Sequence, residues 1–200
     1  MAEVINLYDT NGHRKFTTRA ERDCFLRAAA VCLGEVRTLC SVLAYTGCHL
    51  TEALELTFER VDMKRQALIF ESVRKRRPKI FRTVPVPARL IEVLDQVHNV
   101  RERRGRGRER FLWPIARNTA WRKVRQVMEA AGIQGPQATP KGLRHGFGVI
   151  AAESNIPITL VRQWMGHGKL EVTAAYFTVA NHDERGYAEK LWDDASAIVL

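Results

Sequence analysis

The sequence has no uninterrupted apolar run close to the ~20 residues that a membrane-spanning helix requires. Its first residues, MAEVINLYDTNGHRKF, lack the basic start and the apolar stretch of a secretory signal peptide. The cysteines Cys24, Cys32, Cys40 and Cys48 are evenly spaced, but none forms the CxxC pair of a typical metal clamp. These absences argue against membrane and secreted proteins, and they predict a cytoplasmic chain with reduced, mostly buried thiols.

Positive charge is in clear excess. The chain has 32 Lys and Arg residues against 22 acidic residues, which gives a formal net charge of +10 at neutral pH. Such an excess favours a polyanionic partner, either nucleic acid or a membrane surface. The aromatic RNP-type motifs of common RNA-binding modules are absent, so an RNA-binding module is the weaker alternative. With 200 residues, 46% of them hydrophobic, the chain is long enough for one domain with a buried core.

Helical periodicity dominates the chain, and one short region is rich in β-forming residues. Thr17 or Thr18 is a candidate N-cap for the first helix, with Glu21 as capping-box partner. A second helix is predicted to stop at Gly47, and HLTEALELTF is predicted to resume the helical pattern. QALIFESV and IFRTVPVP read as two antiparallel strands joined by the basic tip RKRRPK. The remaining predicted helices are ARLIEVLDQVHNV, residues 121–128, residues 143–152, PITLVRQWMG, LEVTAAYFTV and HDERGYAEKLWDD. We therefore predict a mainly α fold with a small antiparallel β-sheet, and an exposed loop at RERRGRGRER.

Four polar clusters fall at predicted element ends or loops, where chemistry is usually placed. They are TGCHLTE at 46–52, RKRRPK at 74–79, PKGLRHGF at 140–147, and a Gly-His pair followed nine residues later by Tyr176. In this order the clusters resemble the catalytic domain of the tyrosine recombinase (phage integrase) family. The resemblance runs from about Arg14 to Trp192, so we expect a lead-in at 1–13 and a catalytic domain at 14–200, with no core-binding domain in this chain.

The resemblance implies a role for each matching residue. It places Lys141 and Arg144 on the second motif and His167 on the third, and it makes Tyr176 the nucleophile that forms a 3′-phosphotyrosine. Arg144, His167 and Lys141 would donate hydrogen bonds to the phosphate or assist proton transfer. A hairpin cation would protonate the departing 5′-oxygen; Lys75 is preferred because lysine can lose its proton, and Arg74 is the alternative. The residues expected to contact DNA are Arg74, Arg76, Arg77, Lys79 and His145. This chemistry needs neither a metal nor a nucleotide cofactor.

One position departs from the family pattern. His49 stands where the first motif has an arginine, and imidazole lacks the guanidinium fork and is mostly uncharged at neutral pH. We therefore expect weakened transition-state stabilisation, and residual activity that increases as the pH falls. Glu52, one turn further on, is positioned to orient a cation at residue 49.

Two functions follow from this resemblance. The first is a site-specific recombinase or integrase, of the kind found in mobile elements, that cuts and rejoins duplex DNA. The second is a catalytically silent DNA-binding regulator with the same fold, which His49 favours. Duplex DNA is the expected partner, with no membrane partner. We expect a monomer in solution and a homo-oligomer, a tetramer, on DNA, with residues 181–200 exchanged between protomers.

Overall fold

The computed structural model describes residues 5–72, 80–105 and 111–180. Within these ranges the helices are α1 Arg19–Ala30, α2 Gly34–Thr46, α3 Leu50–Leu54, α4 Ala88–His98, α5 Val100–Arg103, α6 Arg117–Ala130, α7 Pro140–Glu153, α8 Ile158–Met165 and α9 Leu170–Phe177. The strands are β1 Val61–Asp62, β2 Ala67–Glu71 and β3 Phe81–Pro85, and a short 3₁₀ helix spans Phe58–Arg60. The mainly helical fold with a small antiparallel sheet is thus confirmed.

The start of the first helix and the end of the second lie where the sequence predicts. The Thr18 hydroxyl accepts a hydrogen bond from the Glu21 N–H (3.2 Å), and the Glu21 carboxylate accepts one from the Thr18 N–H (2.9 Å). This reciprocal pair is the predicted capping box at the start of α1. Helix α2 ends at Gly47, whose φ of 60° lies in the left-handed region that glycine adopts without a steric penalty.

The sheet has the order β1-β2-β3, with antiparallel pairing throughout. The β2-β3 pair is the predicted hairpin, in which Ile69 lies opposite Thr83. Strand β1 is a two-residue addition that the sequence pattern did not predict. Along β3, Arg82 and Val84 face inward while their neighbours are exposed, as the two-residue period of a strand requires. An arginine therefore lies on the buried face of the sheet.

Helix α3 is shorter than predicted. The prediction of a single helix for HLTEALELTF is wrong, because α3 ends at Leu54 and a separate 3₁₀ helix begins at Phe58. The chain turns between them because the Leu56 carbonyl accepts a hydrogen bond from the Leu112 N–H (2.9 Å), which buries Leu56 and Phe58 in the core. In the predicted basic loop, Val100–Arg103 forms α5, whereas residues 106–110 lie outside the described ranges, as does the predicted helix HDERGYAEKLWDD.

Two groups of buried side chains form the core. The larger packs α1, α2, α4 and α6 against the sheet, and the smaller joins α7, α8 and α9 to the N-terminal Leu7 and Phe16. Helix α7 contributes Leu143 to the larger group and Val149 to the smaller one. The segment predicted as a lead-in thus packs on the domain through Leu7, and the residues between 143 and 149 lie where the two groups meet.

All four cysteines are free thiols, with Cys40 and Cys48 buried and Cys24 and Cys32 partly buried. None of the helices in the described parts of the chain combines the length and the apolar character needed to cross a membrane.

Candidate active site

The turn between α2 and α3 brings His49 to one edge of a polar pocket formed by Arg144, His145, His167 and Tyr176. Gly47 reverses the chain, and His49 is the residue that precedes α3. The His49 backbone N–H donates to a Glu52 carboxylate oxygen (2.8 Å), which fixes the first turn of α3. His49 keeps part of its surface in contact with solvent, whereas Glu52 is buried.

Glu52 is bound by an arginine that the sequence analysis did not single out. Both terminal nitrogens of Arg82 donate to the Glu52 carboxylate, at 2.8 and 2.6 Å, and Arg82 Nε donates to the Trp164 carbonyl (2.7 Å). Burial raises the pKa of Glu52, but the hydrogen bonds and charge of Arg82 lower it. The net result is a pKa below the usual carboxylate value. The expected orientation of a cation at residue 49 by Glu52 is therefore replaced by a buried ion pair with β3.

Arg144 connects the first motif to the third. Its two terminal nitrogens donate to the carbonyls of Gly47 (2.6 Å) and Met165 (2.7 Å), so the guanidinium is held between the α2-α3 turn and the end of α8. Burial lowers the pKa of Arg144, while the nearby Glu52 and Tyr176 oppose that change. Arginine keeps its charge at neutral pH because its pKa starts far above neutrality. A fixed, buried cation therefore lies in the pocket.

The α8-α9 turn supplies His167. Gly166 ends α8 in the left-handed region with φ 70°, and the chain then passes His167 before α9 begins. His167 Nδ1 lies 3.0 Å from the Thr173 hydroxyl oxygen, one turn into α9. The imidazole lies nearly parallel to the Tyr176 ring, with an interplanar angle of 15° and centroids 5.9 Å apart. Thr173 and Tyr176 thus fix the orientation of the imidazole.

Tyr176 is completely buried, at 0% exposure. Its hydroxyl oxygen lies 3.0 Å from Nδ1 of His145 on α7. On the same face of α7, Gly148 leaves room for the phenol ring, since a Cβ at that position would lie 2.7 Å from Tyr176 Cγ. The tyrosine is therefore both a packed aromatic and a member of the polar cluster.

The pocket favours neutral histidines. Burial lowers the pKa of His49 to about 4, and the Arg144 charge acts in the same direction. Burial likewise lowers the pKa of His145 to about 4 and that of His167 to about 3, with Lys141 and Arg144 as the next causes, respectively. For Tyr176, burial raises the pKa to about 12 although Arg144 opposes it. At neutral pH the cluster therefore contains a protonated phenol, neutral imidazoles and a guanidinium.

Several predicted site residues come together, and others lie outside the described ranges. Arg144, His167 and Tyr176 meet around the pocket, with His49 at its edge. Lys141 is exposed in the first turn of α7, where its charge lowers the pKa of His49 and His145. The predicted hairpin residues Arg74, Lys75, Arg76, Arg77 and Lys79 belong to residues 73–79, outside the described ranges.

Sequence reasoning missed Arg82 and Thr173 and gave His145 a different neighbour. Arg82 had a signal, because an arginine at an inward position of the alternating strand FRTVP needs a buried anionic partner. The buried His145 ring, 5% exposed, faces the Tyr176 hydroxyl. Its expected contact with DNA stays a prediction.

Comparison with known proteins gives one family. A sequence model described as the phage integrase family matches residues 23–183. Tyrosine recombinase XerA of Pyrococcus furiosus is 27% identical over 151 residues, which cover 72% of this chain and 50% of that protein. Tyrosine recombinase XerD of Mycobacterium tuberculosis is 26% identical over 156 residues, which cover 73% of this chain and 48% of that protein. The chain thus spans about half the length of these relatives.

Solved structures agree on the fold. The XerH site-specific recombinase bound to its difH substrate aligns with a TM-score of 0.73 at 18% identity, covering 92% of this chain and 59% of that one. The catalytic domain of bacteriophage HP1 integrase aligns with a TM-score of 0.62 at 20% identity, covering 87% of this chain and 93% of that one. The architecture is therefore that of a tyrosine recombinase catalytic domain.

Proposed function

The chain belongs to the phage integrase family, and from this premise we propose that it cuts and rejoins duplex DNA with Tyr176 as the nucleophile. The observation that carries the proposal is the convergence of Tyr176, Arg144 and His167, from three different elements, on one pocket. In the proposed reaction the Tyr176 oxygen bonds to phosphorus, the bond to the 5′-oxygen breaks, and the strand is held as a 3′-phosphotyrosine. The free 5′-hydroxyl of a strand then reverses these steps.

Arg144 is suited to stabilise the charged transition state. Two backbone carbonyls fix its position, and an arginine has five N–H groups, so donors remain for the non-bridging phosphate oxygens. Such donors stabilise developing charge because they need no rearrangement during the reaction. Lys141, exposed at the start of the same helix, would add a further cation at the pocket edge.

His167 can donate a hydrogen bond although it is neutral. When the Thr173 hydroxyl donates to Nδ1, the imidazole hydrogen lies on Nε2, and this N–H can donate to a phosphate oxygen. The departing 5′-oxygen would take a proton from a hairpin cation, Lys75 or the alternative Arg74, in the segment outside the described ranges.

A second candidate function is a DNA-binding protein of this fold that does not cleave. His49 favours it, because its lowered pKa leaves the imidazole uncharged where the family pattern has a guanidinium. The net charge of +10 supports DNA binding under either function.

The proposed assembly is a homo-oligomer, a tetramer, on DNA. The terminal segment 181–200, which contains Leu191, Trp192 and a final Ile-Val-Leu, would pack against a neighbouring protomer, and the free chain would be a monomer. A chromosomal or mobile-element DNA substrate implies a cytoplasmic location.

The test is incubation with a duplex that is nicked close to the cleavage site. Cleavage releases a short fragment with a free 5′-hydroxyl, and because this fragment diffuses away, the strand cannot be rejoined and the covalent intermediate accumulates. We expect wild-type protein to form a covalent adduct with DNA, and Tyr176→Phe to form none while binding DNA with nearly the same affinity. An adduct with Tyr176→Phe would refute Tyr176 as the nucleophile. Binding by the wild-type protein with no adduct on any nicked substrate would favour the non-cleaving function.

A further inference from the structure

A hydrogen bond joins the Tyr176 hydroxyl to a histidine with no assigned part in the reaction. His145 Nδ1 lies 3.0 Å from the hydroxyl oxygen, and both side chains are buried, at 5% and 0% exposure. His145 and Gly148 are one turn apart on α7, and the glycine lets the Tyr176 ring approach the helix closely. The contact is therefore built into the packing of α7 against α9.

The reaction needs an acceptor for the phenol proton. A phenol oxygen that bonds to phosphorus must lose its hydrogen, and a general base within hydrogen-bond distance is the group that takes it. Arg144 stays protonated and has no lone pair to offer. His167 lies nearly parallel to the phenol ring, and its Nδ1 faces Thr173. Among the pocket groups, His145 alone is hydrogen-bonded to the Tyr176 oxygen in the described ranges.

We propose that His145 is the catalytic proton acceptor for Tyr176. As the Tyr176 oxygen bonds to phosphorus, the phenol proton moves to His145 Nδ1, which forms an imidazolium with the hydrogen already on Nε2. On religation the bond between Tyr176 and phosphorus breaks, and the same proton returns to the phenol oxygen. The proposal rests on the proposed strand-cutting function and names the residue that accepts the Tyr176 proton in that reaction.

The surroundings explain why the proton moves only during the reaction. Burial and the charges of Lys141, Arg144 and Lys15 lower the pKa of His145 to about 4, so the imidazole is neutral and Nδ1 can hold a lone pair. Burial raises the pKa of Tyr176 to about 12, so the resting phenol keeps its proton. Because this gap opposes transfer in the free protein, transfer has to accompany formation of the oxygen–phosphorus bond, which removes the basicity of the phenol oxygen. The tyrosine therefore stays inert until a phosphate arrives.

The kinetic test compares two buried histidines. His145→Gln keeps a polar side chain but provides no basic nitrogen, so single-turnover cleavage of the nicked duplex should fall by roughly 10²- to 10⁴-fold with DNA affinity unchanged. The matched control is His98→Gln, which replaces a buried histidine bound to Thr38 (2.9 Å) in the other core group and should cleave like wild type. Thermal melting confirms that both variants are folded.

A modified substrate separates the two proton transfers. When sulfur replaces the bridging 5′-oxygen, the departing thiolate needs no proton, so a defect in the general acid is relieved. The His145→Gln defect should persist on this substrate, because it concerns the nucleophile. Cleavage by His145→Gln at the wild-type rate, or rescue by the sulfur substrate, would overturn the proposal.

A spectroscopic measurement is independent of cleavage. Nitrogen chemical shifts of ¹⁵N-labelled histidines should show His145 with its hydrogen on Nε2 and a hydrogen-bonded lone pair on Nδ1, and Tyr176→Phe should remove that hydrogen bond. A hydrogen on Nδ1 would mean that His145 donates to the phenol, and the proposal would be wrong. If wild-type protein formed no covalent adduct, the proposed strand-cutting function itself would be wrong. If wild-type protein formed the adduct and His145→Gln cleaved equally fast, only the role of His145 as proton acceptor would be wrong.

Discussion

Arg82 and Glu52 form a two-bond ion pair inside the protein. The guanidinium donates to both carboxylate oxygens, at 2.8 and 2.6 Å, and the two side chains are only 6% and 4% exposed. The pair joins β3 to α3, and the bond from Arg82 Nε to the Trp164 carbonyl extends it to α8. Three elements that border the pocket are therefore held by one guanidinium.

We predict that Arg82→Ala strongly destabilises the fold. Removing one partner leaves the Glu52 carboxylate buried without its countercharge, which typically costs about 3–5 kcal/mol. Denaturant unfolding measures the change in the free energy of unfolding. The control is Arg89→Ala, because Arg89 and Glu92 form an exposed pair at 3.0 Å whose loss should change stability by less than about 1 kcal/mol. Similar losses of unfolding free energy in the two variants would show that the buried pair of Arg82 and Glu52 stabilises the fold no more than an exposed pair does.

His49→Arg should raise cleavage. A guanidinium at residue 49 would supply a forked donor at the pocket edge, and one recovered donor is typically worth roughly 10²-fold in rate. The gain has to come from the phosphate contact itself, because both Glu52 oxygens already bind Arg82. His49→Lys is the control, as it adds charge without the fork and should recover less. If His49→Arg cleaves no better than wild type, the non-cleaving function becomes the better account.

The cleavage rate should not change with pH around the pKa of an ordinary histidine. Sequence alone predicts residual activity that rises as the pH falls, but the surroundings of His49 lower its pKa to about 4. Between about pH 7.5 and 5.5 the imidazole should stay neutral, so single-turnover rates should show no acid-side increase. A rise across this range would show that a bound phosphate restores the His49 charge.

The positions of the motif residues along their helices were predictable because their spacing is local. Lys141 and Arg144 lie on one helix, and the nine residues from His167 to Tyr176 cover a single turn and α9. The capping box of α1 and the stop at Gly47 are equally local. Local patterns of this kind fix which residues are adjacent along an element, and the capping box of α1 and the stop at Gly47 are confirmed.

Contacts between elements were not predictable. The Arg82 to Glu52 pair depends on how β3 packs on α3, and the His145 to Tyr176 bond depends on the approach of α7 to α9. His145 is next to Arg144 in the sequence, but a helix turns about 100° per residue, so adjacent residues face different neighbours. Likewise, the end of α3 at Leu54 depends on the bond from Leu112 to Leu56.

Protein stability should decrease on mild acidification. Burial lowers the pKa of His49, His98 and His145 to about 4 and that of His167 to about 3. In the unfolded chain a histidine titrates near about 6.5, so below that pH the unfolded state binds more protons. The stabilisation is complete above the unfolded pKa and is lost as the pH falls towards the folded values.

Thermal melting at about pH 7.5 and 5 measures this loss, since the lowered carboxylate pKa values contribute mainly below about pH 4.5. The melting temperature should be lower at the acidic pH, and His98→Gln should weaken the pH dependence. An unchanged or higher melting temperature at acidic pH would contradict the prediction.

Gly148→Ala should disable the nucleophile with little change in DNA affinity. The added Cβ would lie 2.7 Å from Tyr176 Cγ, so the phenol ring has to shift away from α7 and its bond to His145 should weaken. We expect cleavage to fall at least roughly 10-fold and the fold to lose about 1–3 kcal/mol from overpacking. Gly34→Ala is the matched control, because its Cβ would meet the Val97 side chain at 2.9 Å, away from the pocket, and cleavage should not change. Wild-type cleavage by Gly148→Ala would mean that the buried position of Tyr176 is not the one from which it reacts.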